Sequence, residues 1–298
     1  MNKIVAFEKL YSFLLSDRVK LKIEKTILLI AMISFLTHLA LIYLKRYGLL
    51  NPFEDSSFFD NPIAAIYTPF SFILVYEVYL LIFYLPRSIT TYITKQYEII
   101  TLIVIRRIFK DLSNLELSSD WFVIKSDIYF TYDILTALLL FFMIYLFSYL
   151  RENLDDLNIK TTLENPQIQQ FIKIKKIMAA GLIPVFIGLG LFTFIGWVTT
   201  AMPSNITAVI KDVNSLFFDE FFAVLIIVDV LLLLVSFFYT DQFHKVIRNS
   251  GFIISTILIR MSFSVDGVLN NILILASIVF GLGILWIHNK FAKNLSLK

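Results

Sequence analysis

Six stretches of predominantly apolar residues constrain this chain more than any other feature. Each holds roughly the 20 residues that a helix needs to cross the hydrocarbon core of a bilayer. They are span A (26–46), span B (63–85), span D (128–150), span E (176–200), span F (218–240) and span H (268–288). Two further stretches, span C (89–109) and span G (243–264), are apolar only in their second halves. The pattern predicts an all-α integral membrane protein.

The composition agrees with helices that face lipid. The chain is 58% hydrophobic and 16% charged, whereas about a quarter of the residues in a soluble domain are charged. The formal net charge of +3 is too small to indicate a nucleic-acid partner. The lipid bilayer is therefore the expected partner.

Basic residues at the ends of the spans predict their orientation, because Lys and Arg favour the cytoplasmic side of a membrane. They precede span A, recur between spans D and E, and follow span H, whereas the body of the segment after span A is acidic. If span A begins and span D ends in the cytoplasm, span C must cross, and the same parity makes span G a crossing. We therefore expect eight transmembrane helices in the cell (inner) membrane, with both termini cytoplasmic.

The first 25 residues differ from the spans because charged residues interrupt the apolar ones. Ile4, Phe7, Tyr11 and Leu14 recur at helical spacing, opposite a face of charged and polar residues. This pattern is typical of an amphipathic helix that lies on the membrane surface. We predict an N-terminal interfacial segment over 1–25, and the alternative is a solvated cytoplasmic arm.

The two halves of the chain resemble each other. VYEVYLL around Glu77 matches IVDVLLL around Asp229, and IITLIVIR, ending at Arg106, matches IISTILIR, ending at Arg260. The order and spacing of these matches predict two parallel four-helix repeats. The alternative is that lipid-facing helices resemble one another in composition alone. The predicted segments are the first unit (26–150), a cytoplasmic linker (151–175), the second unit (176–288) and a cytoplasmic tail (289–298).

Ionisable residues inside the spans are the main functional signal, since each costs at least about 2.5 kcal/mol at the bilayer centre unless it is paired or hydrated. Glu77, Glu98 and Asp229 are predicted to lie at similar depths. We treat these carboxylates as candidates for ion binding or proton relay. Lys95 is expected to neutralise Glu77 or Glu98, and Arg248 is expected to pair with Asp229.

A second group of charges lies near the outer ends of spans C and G. Arg106 and Arg107 end span C, and Asp133 in span D is the nearest acid by depth. For Arg260, at the end of span G, the candidate partners are Asp219, Glu220 and Asp266. The alternative for all of these charges is a set of ion pairs that only fixes the register of the helices.

Several kinds of chemistry lack their usual residues. The chain has no cysteine, which excludes disulfides, thiolate metal ligands and iron–sulfur clusters. Its three histidines, His38, His244 and His288, are predicted at unrelated depths, which argues against haem ligation. No nucleophile elbow, zinc-protease or nucleotide-binding motif is present. We expect no cofactor, no metal site and no enzymatic activity.

The expected function rests on the carboxylates in the spans. We expect a polytopic transporter or channel for protons or inorganic cations. The alternative is a non-transporting membrane subunit, a scaffold or sensor, whose partners are other membrane subunits or further copies of this chain. An intramembrane enzyme that acts on lipid ranks third, because no nucleophile and base are recognisable.

Overall fold

The chain is helical wherever its structure is described. The computed structural model describes residues 11–48, 62–112, 125–163, 166–201, 206–239, 242–265 and 267–296. This part contains no strand, and the all-α prediction is confirmed. Its long helices are α1 (Asp17–Arg46), α2 (Tyr67–Tyr84), α3 (Ile89–Leu112), α4 (Lys125–Leu163), α5 (Pro166–Ala201), α6 (Ile206–Phe238), α7 (Phe243–Ser262) and α8 (Val268–Ser296).

Five helical stretches in the described residues are long and apolar enough to cross a membrane. They are Tyr11–Arg46, Asp127–Glu152, Pro166–Phe192, Glu220–Phe238 and Val268–Asn294. Helix α2 is apolar but shorter, and α3 and α7 are not among the five. A multi-pass membrane protein is supported, while the count of eight crossings stays a prediction.

Helix α1 begins before the first predicted span. The Ser16 side chain caps it by accepting a hydrogen bond from the Val19 backbone nitrogen at 3.4 Å. The helix then continues to Arg46, so the predicted boundary at residue 25 does not coincide with a helix end. Just before the cap, the Leu14 carbonyl accepts a hydrogen bond from the Tyr79 hydroxyl at 3.1 Å. Residues 1–10 of the predicted interfacial segment lie outside the described residues.

Several helices continue beyond the apolar stretches that predicted them. Helix α4 runs on to Leu163, and α5 starts at Pro166, so most of the predicted linker over 151–175 is helical. Proline suits the first turn of a helix because its missing N–H would have no partner there. Helix α8 similarly extends to Ser296 through most of the predicted tail. Hydropathy reports the membrane-embedded length of a helix, and polar residues extend the helix further without changing that signal.

Consecutive helices pack side by side, and four helices join the two halves at the centre. Helix α3 packs against α7, and α4 packs against α8. The Phe147 ring of α4 lies 5.1 Å from the Tyr97 ring of α3 and 5.7 Å from the Phe252 ring of α7, measured between centroids. These aromatic rings are fully buried and fill the space where the halves meet.

Two glycines allow α8 to approach its neighbours closely. A Cβ atom on Gly281 would lie 2.0 Å from the Tyr97 hydroxyl oxygen of α3, and one on Gly251 would lie 2.7 Å from Ile284. The Tyr97 hydroxyl uses the space over Gly281 to reach the Ser255 hydroxyl at 2.7 Å. Small residues permit such close contacts between membrane helices.

Candidate functional site

A buried ion pair joins α6 to α7. Asp229 Oδ2 lies 2.7 Å from Arg260 Nη1, and the two side chains are 0% and 2% exposed. The Tyr92 hydroxyl of α3 donates to Asp229 Oδ1 at 2.9 Å, and Arg260 Nη2 donates to Gln96 Oε1 at 3.0 Å. Both charges are therefore neutralised by each other and held by α3 side chains, which is the condition for stable burial of an ion pair.

Asp229 and Arg260 do not have the partners that the sequence predicted for them. Arg248, the expected partner of Asp229, instead donates to Asn249 and contacts His288. Glu220, one of the expected partners of Arg260, is exposed, while the Asp219 side chain and Asp266 lie outside the described residues. The prediction failed because it compared the depths of backbone positions, whereas a long arginine side chain reaches across more than one helical turn.

A second ion pair occupies the corresponding place in the first half. Glu77 of α2 has Oε2 3.9 Å from Arg106 Nη1 of α3, with side chains that are 4% and 11% exposed. No atom in the described part of the chain donates a hydrogen bond to Glu77 Oε2. Of the two acids that Lys95 was expected to neutralise, it pairs with Glu98, at 2.6 Å, and not with Glu77, and both the Lys95 and Glu98 side chains are about one third exposed. Glu98 therefore lies outside the buried network.

The two buried ion pairs share one arrangement. In each half the acid belongs to the second helix and the arginine to the third. The four residues are those that the sequence matches aligned, Glu77 with Asp229 and Arg106 with Arg260. The pairs differ in closeness, because the Asp229 pair is a direct contact and the Glu77 pair is not.

A third cluster ties α3, α4 and α8 together. Arg107 Nε and Nη2 contact the two oxygens of Asp133 at 2.5 and 2.9 Å, which is a bidentate pair. Arg107 also donates to the side-chain oxygens of Asn270 and Asn271. Asn271 in turn donates to Asp133 at 2.5 Å. The sequence named Asp133 as the nearest acid to this end of α3, and the structure joins it to Arg107.

Lys175 of α5 is buried beside the Asp229–Arg260 ion pair, which we call the central ion pair. It is 2% exposed, and its amine donates to the Arg87 carbonyl oxygen at 2.5 Å. A small cavity, with room for about one water molecule, separates Lys175 from α3, α6 and α7. The residues that line the cavity are Ile89, Tyr92, Lys175, Leu232, Leu233, Asn249 and Ile253.

Most of the neutral polar residues around these charges were not predicted from the sequence. Gln96, Thr256, Asn270 and Asn271 are buried, and each has a hydrogen bond in or beside a charged cluster. A usable signal was present, because Thr256 precedes Arg260 by about one helical turn and so shares its face. For Asn270 and Asn271, the contact with Arg107 depends on the packing of the start of α8 beside both α3 and α4, which the sequence does not reveal.

Apolar helices that enclose ion pairs define the class as a multi-pass membrane protein with a charged interior. Protein-family models, curated proteins and solved structures give no match to this chain. Within the described residues, no group of three or more His, Asp or Glu side chains could hold a metal ion.

Proposed function

We propose that this chain is a polytopic transporter or channel for protons or inorganic cations, with Glu77 as an ion-binding carboxylate. The observation that carries the proposal is the environment of Glu77 Oε2. This oxygen is buried, accepts no hydrogen bond from the described residues and lies 3.9 Å from the nearest nitrogen of Arg106. A buried carboxylate oxygen without a hydrogen bond is costly, and binding a proton or cation would remove part of that cost.

Asp229 serves as the second carboxylate of the proposed pathway. Its contacts with Arg260, Tyr92 and Thr256 satisfy it in this conformation. A cation or proton reaches Asp229 only when Arg260 moves away. In this conformation the Glu77 site would then be able to exchange a proton or cation, whereas the Asp229 site would be closed by Arg260.

The proposal includes a duplicated architecture of two parallel four-helix units. It is supported by the matching ion pairs and by contacts between corresponding helices, α3 with α7 and α4 with α8. Parallel repeats related by an axis along the membrane normal occur in transporters. Eight crossings, cytoplasmic termini and a place in the cell membrane belong to the same proposal.

Flux through liposomes tests the proposal. Purified protein is reconstituted into liposomes, and a gradient of protons, sodium or potassium is imposed across the membrane. The flux of each ion is measured with a dye that is sensitive to that ion. We expect Glu77→Gln to abolish flux, or to shift its pH dependence, with little loss of folded protein. Glu98→Gln is the matched control, because Glu98 is partly exposed and pairs only with Lys95 in the described residues, so its flux should equal that of the wild type.

A second candidate function is a non-transporting membrane subunit, a scaffold or sensor. It is favoured by the pairing of three buried acids with arginines, since Glu77, Asp133 and Asp229 each face one. Such pairs also fix helix register without moving ions. Wild-type liposomes that show no flux of any of the three ions would leave this candidate in front, and a membrane subunit that copurifies in fixed ratio would support it.

A further inference from the structure

The start of α7 carries a group of bases that the proposed function does not use. Arg248 follows Lys245 by three residues and His244 by four on α7, so each of these two is a neighbour of Arg248 on the helix surface. The His288 ring of α8 stacks on the His244 ring, with centroids 5.3 Å apart. The sequence placed these two histidines at unrelated depths, whereas the antiparallel packing of α7 and α8 brings them together. We call His244, Lys245, Arg248 and His288 the basic cluster.

Arg248 is bonded only to neutral groups. The His288 Nδ1 atom faces the His244 carbonyl oxygen at 3.3 Å, and because a carbonyl can only accept, Nδ1 carries the proton. His288 Nε2 is then an acceptor, and Arg248 Nη1 donates to it at 3.2 Å. Arg248 Nε and Nη2 donate to the side-chain oxygen of Asn249 at 3.3 and 3.1 Å. In the described part of the chain no carboxylate lies within ion-pair distance of this guanidinium.

The guanidinium keeps donors for a ligand. Arg has five N–H groups, and the three contacts above leave one N–H on each terminal nitrogen. Two such groups match two oxygens of a phosphate in a bidentate contact. Arg248 is only partly buried, so a ligand can reach it. Because both ring nitrogens of His288 are engaged and Arg248 adds positive charge, the cluster favours an anion over a metal cation.

The backbone at this point also favours negative charge. Helix α7 has 20 residues, and no side chain caps its first turn. A helix N-terminus carries a partial positive charge, which makes basic residues unfavourable there unless an anion is bound. Lys245 thus adds to a positive field that no acidic residue in the first turn of α7 offsets.

The side chains around the cluster are of the kind found at the level of lipid headgroups. Phe243 and Trp286, beside the cluster in sequence, are 70% and 54% exposed. Aromatic side chains are enriched at the membrane–water interface. Lys290 covers the Trp286 ring at 5.5 Å, which is a further contact typical of that boundary. A lipid phosphate would lie within reach of Arg248 at this depth.

We infer that His244, Lys245 and Arg248, supported by His288 and Asn249, bind a phosphate group from an anionic lipid headgroup or from free phosphate. The inference is independent of ion transport, because it uses none of the carboxylates of the proposed pathway. Binding supplies the negative charge that Arg248 lacks among the described residues and stabilises the contact between the start of α7 and the end of α8.

Thermal unfolding of the full chain tests the inference. Delipidated protein in an uncharged detergent is titrated with phosphatidylglycerol, with zwitterionic phosphatidylcholine, and with inorganic phosphate against sodium chloride of equal ionic strength. We expect phosphatidylglycerol to raise Tm in a concentration-dependent way and phosphatidylcholine to have little effect. A rise with inorganic phosphate alone identifies free phosphate as the ligand. No rise with either phosphatidylglycerol or phosphate overturns the inference.

Variants locate the binding site. Arg248→Gln should weaken the apparent affinity about ten-fold, and Arg248→Lys, which keeps the charge but loses the fork, should weaken it less. Arg87→Gln is the matched control, because Arg87 is an exposed base elsewhere on the chain whose ion-pair partner in the described residues is Asp17. If Arg248→Gln does not fold, Arg248→Lys and Lys245→Gln carry the test. Wild-type affinity in the folded Arg248 variants would overturn the assignment.

Discussion

Arg260 of α7 and Asp229 of α6 lie 2.7 Å apart with almost no solvent exposure, and Tyr92 and Gln96 of α3 hold them in place. The pair therefore joins three helices and both halves of the chain at one point. Glu77 and Arg106 stand in the same relationship in the first half, at 3.9 Å. Two ion pairs whose residues align between the halves in sequence thus differ in the distance between their charged atoms.

The first prediction concerns the stability of the central ion pair. Asp229→Asn should lower the free energy of unfolding by about 3–5 kcal/mol, because it leaves the buried Arg260 charge without a counter-charge. Thermal or denaturant unfolding of the purified protein in detergent measures the change. Adding Arg260→Gln to Asp229→Asn should recover much of the loss, since no unpaired charge is then buried.

The Lys95–Glu98 pair is the matched control for that measurement. Its side chains are 31% and 38% exposed, and the two residues lie on one helix. Breaking it with Glu98→Gln should change stability by about 0.5 kcal/mol or less. Equal losses for Asp229→Asn and Glu98→Gln would contradict the description of Asp229 as the centre of a buried network.

The second prediction concerns the contact of the Tyr97 side chain of α3 with Gly281 of α8. Gly281→Ala should destabilise the protein by about 1–3 kcal/mol, because its Cβ would lie 2.0 Å from the Tyr97 hydroxyl oxygen. Combining it with Tyr97→Phe should restore part of the loss, since the clashing oxygen is removed. The free energies of unfolding of the two single variants and the double variant measure this coupling.

Gly283→Ala serves as the control for Gly281→Ala. It lies two residues along the same helix, and nothing is within 4 Å of the position of its Cβ. Alanine has the higher helix propensity, so this variant should be neutral or slightly more stable. A loss at Gly283 as large as the loss at Gly281 would show that the cost does not come from the Tyr97 contact.

The third prediction concerns topology. Reporter fusions at Asn114 and Asn205 should report the exterior, and fusions at Asn158 and Lys298 should report the cytoplasm. The reason is the distribution of basic residues at the ends of the spans, together with the parity of eight crossings. A cytoplasmic signal at Asn114 would remove α3 as a crossing, and with it the parallel arrangement of the two proposed units.

Local sequence patterns were enough to predict the helical class and five of the apolar spans, A, D, E, F and H. An apolar stretch of about 20 residues predicts a membrane helix, because backbone N–H and C=O groups in lipid must form their hydrogen bonds within the helix. The same patterns placed acids and arginines inside the helices, at Glu77, Arg106, Asp229 and Arg260. They also named Asp133 as the acid closest to Arg107, a choice that depended only on two neighbouring spans.

Only the tertiary structure decided which of these charges meet. Asp229 pairs with Arg260 and not with Arg248, and His288 stacks on His244. Helix rotation and tilt determine these contacts, because they set which side chains face each other. The free energy of such contacts depends on burial and on partners from distant helices, such as Tyr92 and Asn270. The depth of a residue along its span gives neither the rotation of the helix nor the direction and reach of an arginine side chain. The sequence by itself therefore determined the membrane helices and their charges, and packing determined the partners.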